Sequence, residues 1–447
     1  VSLRSFLEEM EEKGEVVHVR DRLSPRFEVS SVMRALDGSP ILVFGDVGGH
    51  AAKVVANVCG TRGRLCSALG VDPENLYERL TEAWQSPASP RIVEEGPVTE
   101  VTEGVRLSRL PVLTHFDGDA GPYITSAIVS ARSPDGEVEN VSVHRLQVLD
   151  ESHLAIRLVP RHLYRMWRTA KEEKRDLGVA IALGLHPAVL LAAASPLPYG
   201  VSEYGAANAL LGNGMRLVRC ERVDAYAPAE AEVLLEGVVS AEAEVPEGPF
   251  VDIMGTYDAR RSQPVVEVVK ITHREDYVYQ ALLPSGAEHR LLMGLPQEAR
   301  VWEAVRKVVA AVGAVNMSPG GCGWLHAVIS IEKQRDGDAK NALMAAFAAH
   351  PSLKQATVVD TDINAFNPEE VEWALATRFQ ADEDLVVIPH ARGSTLDPSA
   401  DQETGLTTKL GVDATRPLTK PPEKFQRAKI PTDKRTAKLI EKLKGKP

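Results

Sequence analysis

Three residue types that bind hard or borderline cations follow one another in the chain: an amide at Asn140, an imidazole at His162 and a carboxylate at Glu203. Oxygen and nitrogen donors of this kind suit a divalent ion such as Mn²⁺ or Mg²⁺. Beside them stand Arg145, Arg157 and Arg161, whose forked donors fit carboxylate or phosphate oxygens. Further on, Glu288-His289-Arg290 opens an apolar segment after a Pro284-Ser285-Gly286 turn. Desolvation there would raise the Glu288 pKa towards the range of a general acid, although a glutamate at a helix start is also favoured by the helix dipole alone. Taken singly, each of these residues also suits a structural polar group, and Arg157 and Arg161 suit ordinary surface ion pairs.

The elements that position them are legible as patterns. Asn140 to Arg145 alternates like a strand, which predicts Asn140, Ser142 and His144 on one face and Val141, Val143 and Arg145 on the other. A turn at Asp150-Glu151-Ser152 precedes a second strand over 154–159, which delivers Pro160-Arg161-His162 to its end.

The chain has 447 residues, 44% hydrophobic and 25% charged, the make-up of a globular protein of two or three domains. Its net charge of −11 argues against nucleic acid as the main partner but allows a local basic pocket for a small anion. No apolar run approaches the roughly 20 residues that cross a bilayer, so no membrane partner is expected. The acidic, helical N-terminus is unlike a signal peptide. The four cysteines form no Cys-x-x-Cys pair, and reduced thiols in the cytoplasm are the expectation.

Residues 1–91 read as a small α/β domain, with a first helix presenting Leu3, Phe6, Leu7 and Met10 on one face and a Pro- and Ser-containing linker over 86–91. From 92 to 297 short alternating runs predominate, with helices over 162–175 and 204–211, which argues for a partly closed antiparallel barrel. Residues 298–447 alternate helix and strand as a second α/β domain, in which Asn367-Pro368-Glu369-Glu370 caps a helix. The basic helix 434–444, with Ala437, Leu439, Ile440 and Leu443, suggests docking on a neighbouring subunit, a solvated charged helix being the alternative.

From Asn140 onward the sequence resembles the UbiD family of prenylated-flavin-dependent decarboxylases. The likeness continues in register through Arg157-Leu158-Val159, Arg161-His162, Gly184-Leu185-His186-Pro187-Ala188, Ser202-Glu203-Tyr204, Pro228-Ala229-Glu230-Ala231-Glu232 with Glu236-Gly237, and Glu247-Gly248-Pro249-Phe250. The resemblance implies a split β-barrel that holds prenylated FMN through Val143, His144, Arg145, Arg157, Leu158, Val159, Arg161 and His162. It implies a Mn²⁺ on Asn140, His162 and Glu203 that bridges to the flavin phosphate, and a K⁺ with ligands near Ser195. In the same reading Glu288 protonates the carbon that loses CO₂, Arg145 binds the substrate carboxylate beside it, and His289 stands where the family often has a second acid. His144 stands where enzymes of aromatic acids often carry Tyr.

The runs 282–289, 318–326 and 392–398 resemble the archaeal branch of the family. That likeness implies decarboxylation of trans-anhydromevalonate 5-phosphate to isopentenyl phosphate and CO₂ in an isoprenoid route, by a homo-oligomer (dimer or hexamer) supplied by a flavin prenyltransferase. An unsaturated acid suits prenylated FMN as electron sink. A phosphorylated one needs further cations, for which Arg290, Lys333 and Arg335 are candidates, each equally readable as solvent-exposed charge. The alternatives are a decarboxylase of an aromatic acid such as 4-hydroxybenzoate, a non-catalytic flavin-binding protein and a flavin-free metal hydrolase.

Overall fold

The structure is a computed structural model and describes residues 1–428 and 430–444. Its first helix, Leu3–Glu12, is opened by a capping box between Ser2 and Ser5 and buries Leu3, Phe6 and Met10 on one stripe. The helix precedes a four-stranded sheet of Val16–Leu23, Ile41–Val47, Lys53–Ala56 and Val278–Gln280. The last of these comes from far down the chain and pairs in parallel with Lys53–Ala56. That pairing carries the turn before Glu288 against the N-terminal segment.

The middle of the chain forms a nine-stranded sheet whose spine is the long pair Val233–Glu247 and Arg261–His273. All of its pairings are antiparallel. Glu139–Val143 lies at one end of the strand order and Tyr123–Ile124 at the other. Helix His162–Glu172 turns Leu163, Met166, Trp167 and Ala170 inward. Helix Pro187–Ala194 is buried along nearly its whole length; an apolar helix with no polar face carries no period, which is why alternation does not reveal it.

Two expectations are corrected. The strand carrying Asn140 stops at Val143, and Asn140 and Val141 are both buried, so the simple two-face pattern ends before Arg145. The break at His144 and Arg145, rather than the strand's pleat, aims the arginine. A boundary at 297 falls inside one continuous helix, Ala287–Val305, which accommodates Pro296 where a proline would ordinarily signal a break. That helix starts beside the candidate acid and runs into the C-terminal segment.

The C-terminal sheet has the order Val312–Met317, His326–Ile331, Gln355–Asp360, Leu406–Asp413, Leu385–Arg392. Helix Asp338–Ala349 packs on the face bearing Ile329 and Val358, and helix Pro368–Arg378 on the face bearing Val328 and Val359. The Asn367 side chain caps the second helix, accepting from the Glu369 N–H. Helix Lys434–Lys444 leaves Leu439, Ile440 and Leu443 exposed. Among the described residues no helix is long and apolar enough to cross a membrane.

Candidate active site

The metal-ligand candidates are carried by one strand and the starts of two helices packed on it. Asn140 lies in strand Glu139–Val143, His162 opens helix His162–Glu172, and Glu203 opens helix Glu203–Leu210. Both helices contact that strand. Glu203 Oε2 accepts from the Val141 N–H at 3.0 Å, next to Asn140. His162 packs edge-on against Tyr199, which precedes Glu203 in the chain, with ring centres 5.3 Å apart. Burial pushes Glu203 up to about 7, and the charge of nearby Glu139, itself raised to about 7 by burial, opposes its ionisation further.

A directed hydrogen-bond chain orients Asn140. Burial lowers the His144 pKa to about 4, so its imidazole is neutral. Its Nδ1 lies 3.0 Å from the Arg157 carbonyl, an acceptor only, which makes Nδ1–H the donor and Nε2 the acceptor. Ser142 Oγ therefore donates to Nε2 at 2.9 Å and accepts from Asn140 Nδ2 at 2.9 Å. With its amide nitrogen so engaged, Asn140 keeps its carbonyl oxygen for a cation. An amide oxygen, an imidazole and a buried carboxylate that has no cationic partner among the described residues fit a divalent ion. Ser195 is different: its hydroxyl donates to the Leu191 carbonyl and accepts from Trp84, so its side chain is already engaged.

Arg145 is surrounded by acids. It donates to Glu247 at two points, 2.9 Å each, and to Asp252 and Asp258 at 3.0 Å. Burial alone would lower its pKa, but the three carboxylates raise it. The guanidinium also lies 5.0 Å over the Phe250 ring. Glu247 is fully buried, whereas the Asp252 side chain keeps 22% of its surface exposed. Asp258 is shared with Arg157 at 3.4 Å and Arg261 at 3.5 Å.

Glu288 does not join this group. Its Oε1 accepts from the Cys59 N–H at 2.8 Å, while Oε2 is buried without a partner. Burial raises it to about 7, the range of a general acid, yet Asn57, Cys59, Arg64 and Asp37 of the N-terminal segment surround it. His289 faces the other way: burial lowers its pKa, and Asp252, Arg290 and Arg145 are the charges it senses. Successive helical side chains diverge by ~100°, so only one of this pair can meet Arg145. The expectation that Arg145 lies beside Glu288 with a free fork for a substrate carboxylate is thereby corrected. Its four hydrogen bonds leave one of the five guanidinium N–H groups. Glu247, Asp252 and Asp258 went unassigned in the sequence; the Glu247-Gly248-Pro249-Phe250 signature was the available signal.

The remaining flavin candidates line the same region. Val143 and Val159 are apolar side chains left 38% and 40% exposed, and Leu158 is buried with its N–H on Gln263 at 2.7 Å. Packing around Arg161 lowers its pKa, and the charges of Arg392 and Arg300 lower it further. Among the described residues none of these three arginines has a carboxylate within ion-pair distance. Like charges gathered at a helix start without an acid suit a phosphate. Of the candidates for a second phosphate, Lys333 is paired with Asp336 at 3.0 Å and Arg335 is exposed.

The fold is that of UbiD-class enzymes, and the chain belongs to that family. Residues 7–84, 91–287 and 290–414 match the N-terminal, Rift-related and C-terminal domains of 3-octaprenyl-4-hydroxybenzoate carboxy-lyase. More particularly, the chain is 43% identical to an anhydromevalonate phosphate decarboxylase of Methanothermobacter thermautotrophicus, over 95% of this chain and 99% of the relative. It is 44% identical to that of Aeropyrum pernix over 93% of each. Among solved structures, the UbiD-class enzyme HmfF from Pelotomaculum thermopropionicum in complex with FMN superposes with a TM-score of 0.94 at 43% identity, covering 96% of this chain and 98% of that one. An evolved dimeric form of the same enzyme with prFMN gives 0.90 at 41% identity, covering 96% and 97%.

Proposed function

We propose that this protein is a prenylated-FMN-dependent carboxy-lyase that converts trans-anhydromevalonate 5-phosphate to isopentenyl phosphate and CO₂. The observation that carries the reading is the Glu247–Arg145–Asp252 cluster beside His289, in a chain more than 40% identical over nearly its whole length to archaeal anhydromevalonate phosphate decarboxylases. The nine-stranded sheet is read as the split barrel that holds the flavin. Asn140, His162 and Glu203 would hold Mn²⁺, and Arg161 with Arg300 and Arg392 would face the flavin phosphate. Val143, His144, Arg157, Leu158 and Val159 would line the ring and its chain. Prenylated FMN, when bound, supplies an electron sink for the carbon that loses CO₂.

The chain's own residues do the rest. Asp252 is the accessible acid of the cluster, which gives it the role of passing a proton to that carbon. Glu247 and Asp258 keep the Arg145 plane in place, and Arg145 orients Asp252. His289, whose Nδ1 accepts from the Ser285 N–H at 3.1 Å, stands beside the cluster at the start of helix Ala287–Val305. A cytoplasmic homo-oligomer, supplied with cofactor by a flavin prenyltransferase and holding K⁺ through carbonyls near Ser195, completes the reading.

The test is steady-state CO₂ release from the reconstituted protein with the phosphorylated enoic acid and, in parallel, with 4-hydroxybenzoate. Isopentenyl phosphate identified by mass is the expected result; turnover of the aromatic acid alone would replace the reading. Asp252→Asn should retain flavin and lose turnover by roughly 10²–10⁴-fold, the usual weight of a general acid, while Glu288→Gln stays within about tenfold of the parent. The reverse ranking would return the proton to Glu288.

A further inference from the structure

Helix Ala287–Val305 opens with three polar side chains that face three different bodies. Glu288 faces the N-terminal segment, and His289 senses Asp252 and Arg145. Arg290 lies against the C-terminal loop around Gly323. A Cβ on Gly323 would come within 2.9 Å of the Arg290 carbonyl and 3.0 Å of its Cβ, and one on Gly294 within 2.7 Å of the Gly323 carbonyl. Gly323 itself has φ +66°, where other residues are strained. Two glycines thus let loop and helix touch backbone to backbone, which holds the base of Arg290 firmly.

The same loop reaches the acid cluster from the other side. The Cys322 thiol lies 4.0 Å from the carbonyl of Met254, close in sequence to Asp252. Next to Gly323, Trp324 is 3% exposed and its Nε1 has no hydrogen-bond partner among the described residues. Its ring is held by His350, which stacks edge-on at 4.5 Å and bonds the Trp324 carbonyl at 3.0 Å. Arg290 shows the matching deficit: Nε is buried without a partner, and among the described residues no carboxylate lies within ion-pair distance of its guanidinium. A half-buried guanidinium whose Nε is unmatched and a buried indole N–H, both donors only, call for an acceptor that the described residues do not supply.

We propose that Arg290 and the Trp324 indole N–H form the subsite that grips the phosphate of the substrate, at the seam between the Arg145 cluster and the C-terminal loop 321–324. This rests on the functional reading above, and deepens it by naming the residues that select a phosphorylated acid. The cofactor's own phosphate is the other source of the same chemistry; it is assigned to the group around Arg161, whose charge reaches His350 behind Trp324, so flavin content is the readout that separates the two sources. An arginine fork and an indole N–H on a phosphate monoester also explain why Lys333 and Arg335, bound or exposed elsewhere, are not needed.

The test compares kcat/KM for the phosphorylated enoic acid with that for its unphosphorylated parent in the holoenzyme. In Arg290→Gln the preference for the phosphorylated acid should fall about a hundredfold, chiefly through KM, and Trp324→Phe should lower it several-fold. Inorganic phosphate should inhibit the unmutated enzyme competitively and lose that inhibition in Arg290→Gln. Flavin content, read from absorbance and mass, should stay at the parent level; its loss would assign the arginine to the cofactor phosphate and overturn the proposal. An unchanged preference with unchanged phosphate inhibition would also overturn it. If Arg290→Gln fails to fold, Arg290→Lys provides the reading, with a preference lowered at least tenfold by loss of the fork. Should the parent enzyme not turn over the phosphorylated acid at all, the functional reading fails. Phosphate protection against thermal unfolding, present in the parent and lost in Arg290→Lys, then still decides whether the subsite binds phosphate.

Discussion

Arg145 and Glu247 form a two-point clasp, Nε to Oε1 and Nη2 to Oε2, each at 2.9 Å, with the carboxylate fully buried. Asp252 and Asp258 complete an acid shell around one guanidinium. Breaking a buried pair by deleting one partner strands the other charge.

Arg145→Ala should therefore destabilise the protein by about 3–5 kcal/mol, because it leaves buried Glu247 unpaired among acids. Arg145→Lys should recover only part of this, since an ammonium cannot match the carboxylate at two points. Urea unfolding checks both. An Arg145→Ala protein within about 1 kcal/mol of the parent would show that the shell relaxes without its cation.

Glu288 should report itself through pH. Its pKa is raised by burial to about 7 from an ordinary value of 4.5, so the fold favours the protonated form. The stability it contributes is complete below pH ~4.5 and is lost as pH rises through ~7. Glu288→Gln, permanently neutral, should track the parent near pH 5 and exceed it near pH 8 by on the order of 1–3 kcal/mol. Denaturant midpoints at the two pH values measure this; a gap independent of pH would remove Glu288 as the titrating group.

His144 should matter for metal retention. In His144→Phe the Ser142 hydroxyl and the Arg157 carbonyl lose their partner, at a cost of about 1–3 kcal/mol, and the Asn140 amide is free to turn. Manganese per chain, by plasma mass spectrometry after loading, should fall in His144→Phe and further in Glu203→Gln, with retained flavin falling in step. Full loading in both variants would separate this strand from metal binding.

The exposed Leu439 and Leu443 of helix Lys434–Lys444 are expected to pack on a second copy. Leu439→Glu with Leu443→Glu should lower the molar mass by light scattering while leaving the thermal transition of the chain in place. An unchanged mass would assign the helix to solvent.

Legibility followed the range of the causes. The inward stripe of Leu3, Phe6 and Met10, the Asn367 cap and the Asp150 turn were readable because each is set within a few residues. Helix Pro187–Ala194 was not, because an apolar helix has no contrast to read. The continuity of Ala287–Val305 through Pro296 was hidden because a proline's local signal is a break.

The sequence by itself determined the kinds of groups at the site and their order: the amide, imidazole and carboxylate for a cation, the arginines for anions, and a glutamate at the start of an apolar segment. Only the tertiary structure decided which of them meet. The strand ended at Val143, before Arg145, and Glu247, Asp252 and Asp258 reached the arginine from distant segments. Three consecutive residues, Glu288, His289 and Arg290, were sent to three bodies, because a helix turns its side chains by ~100° at each step and the neighbours packed around it choose what each one touches.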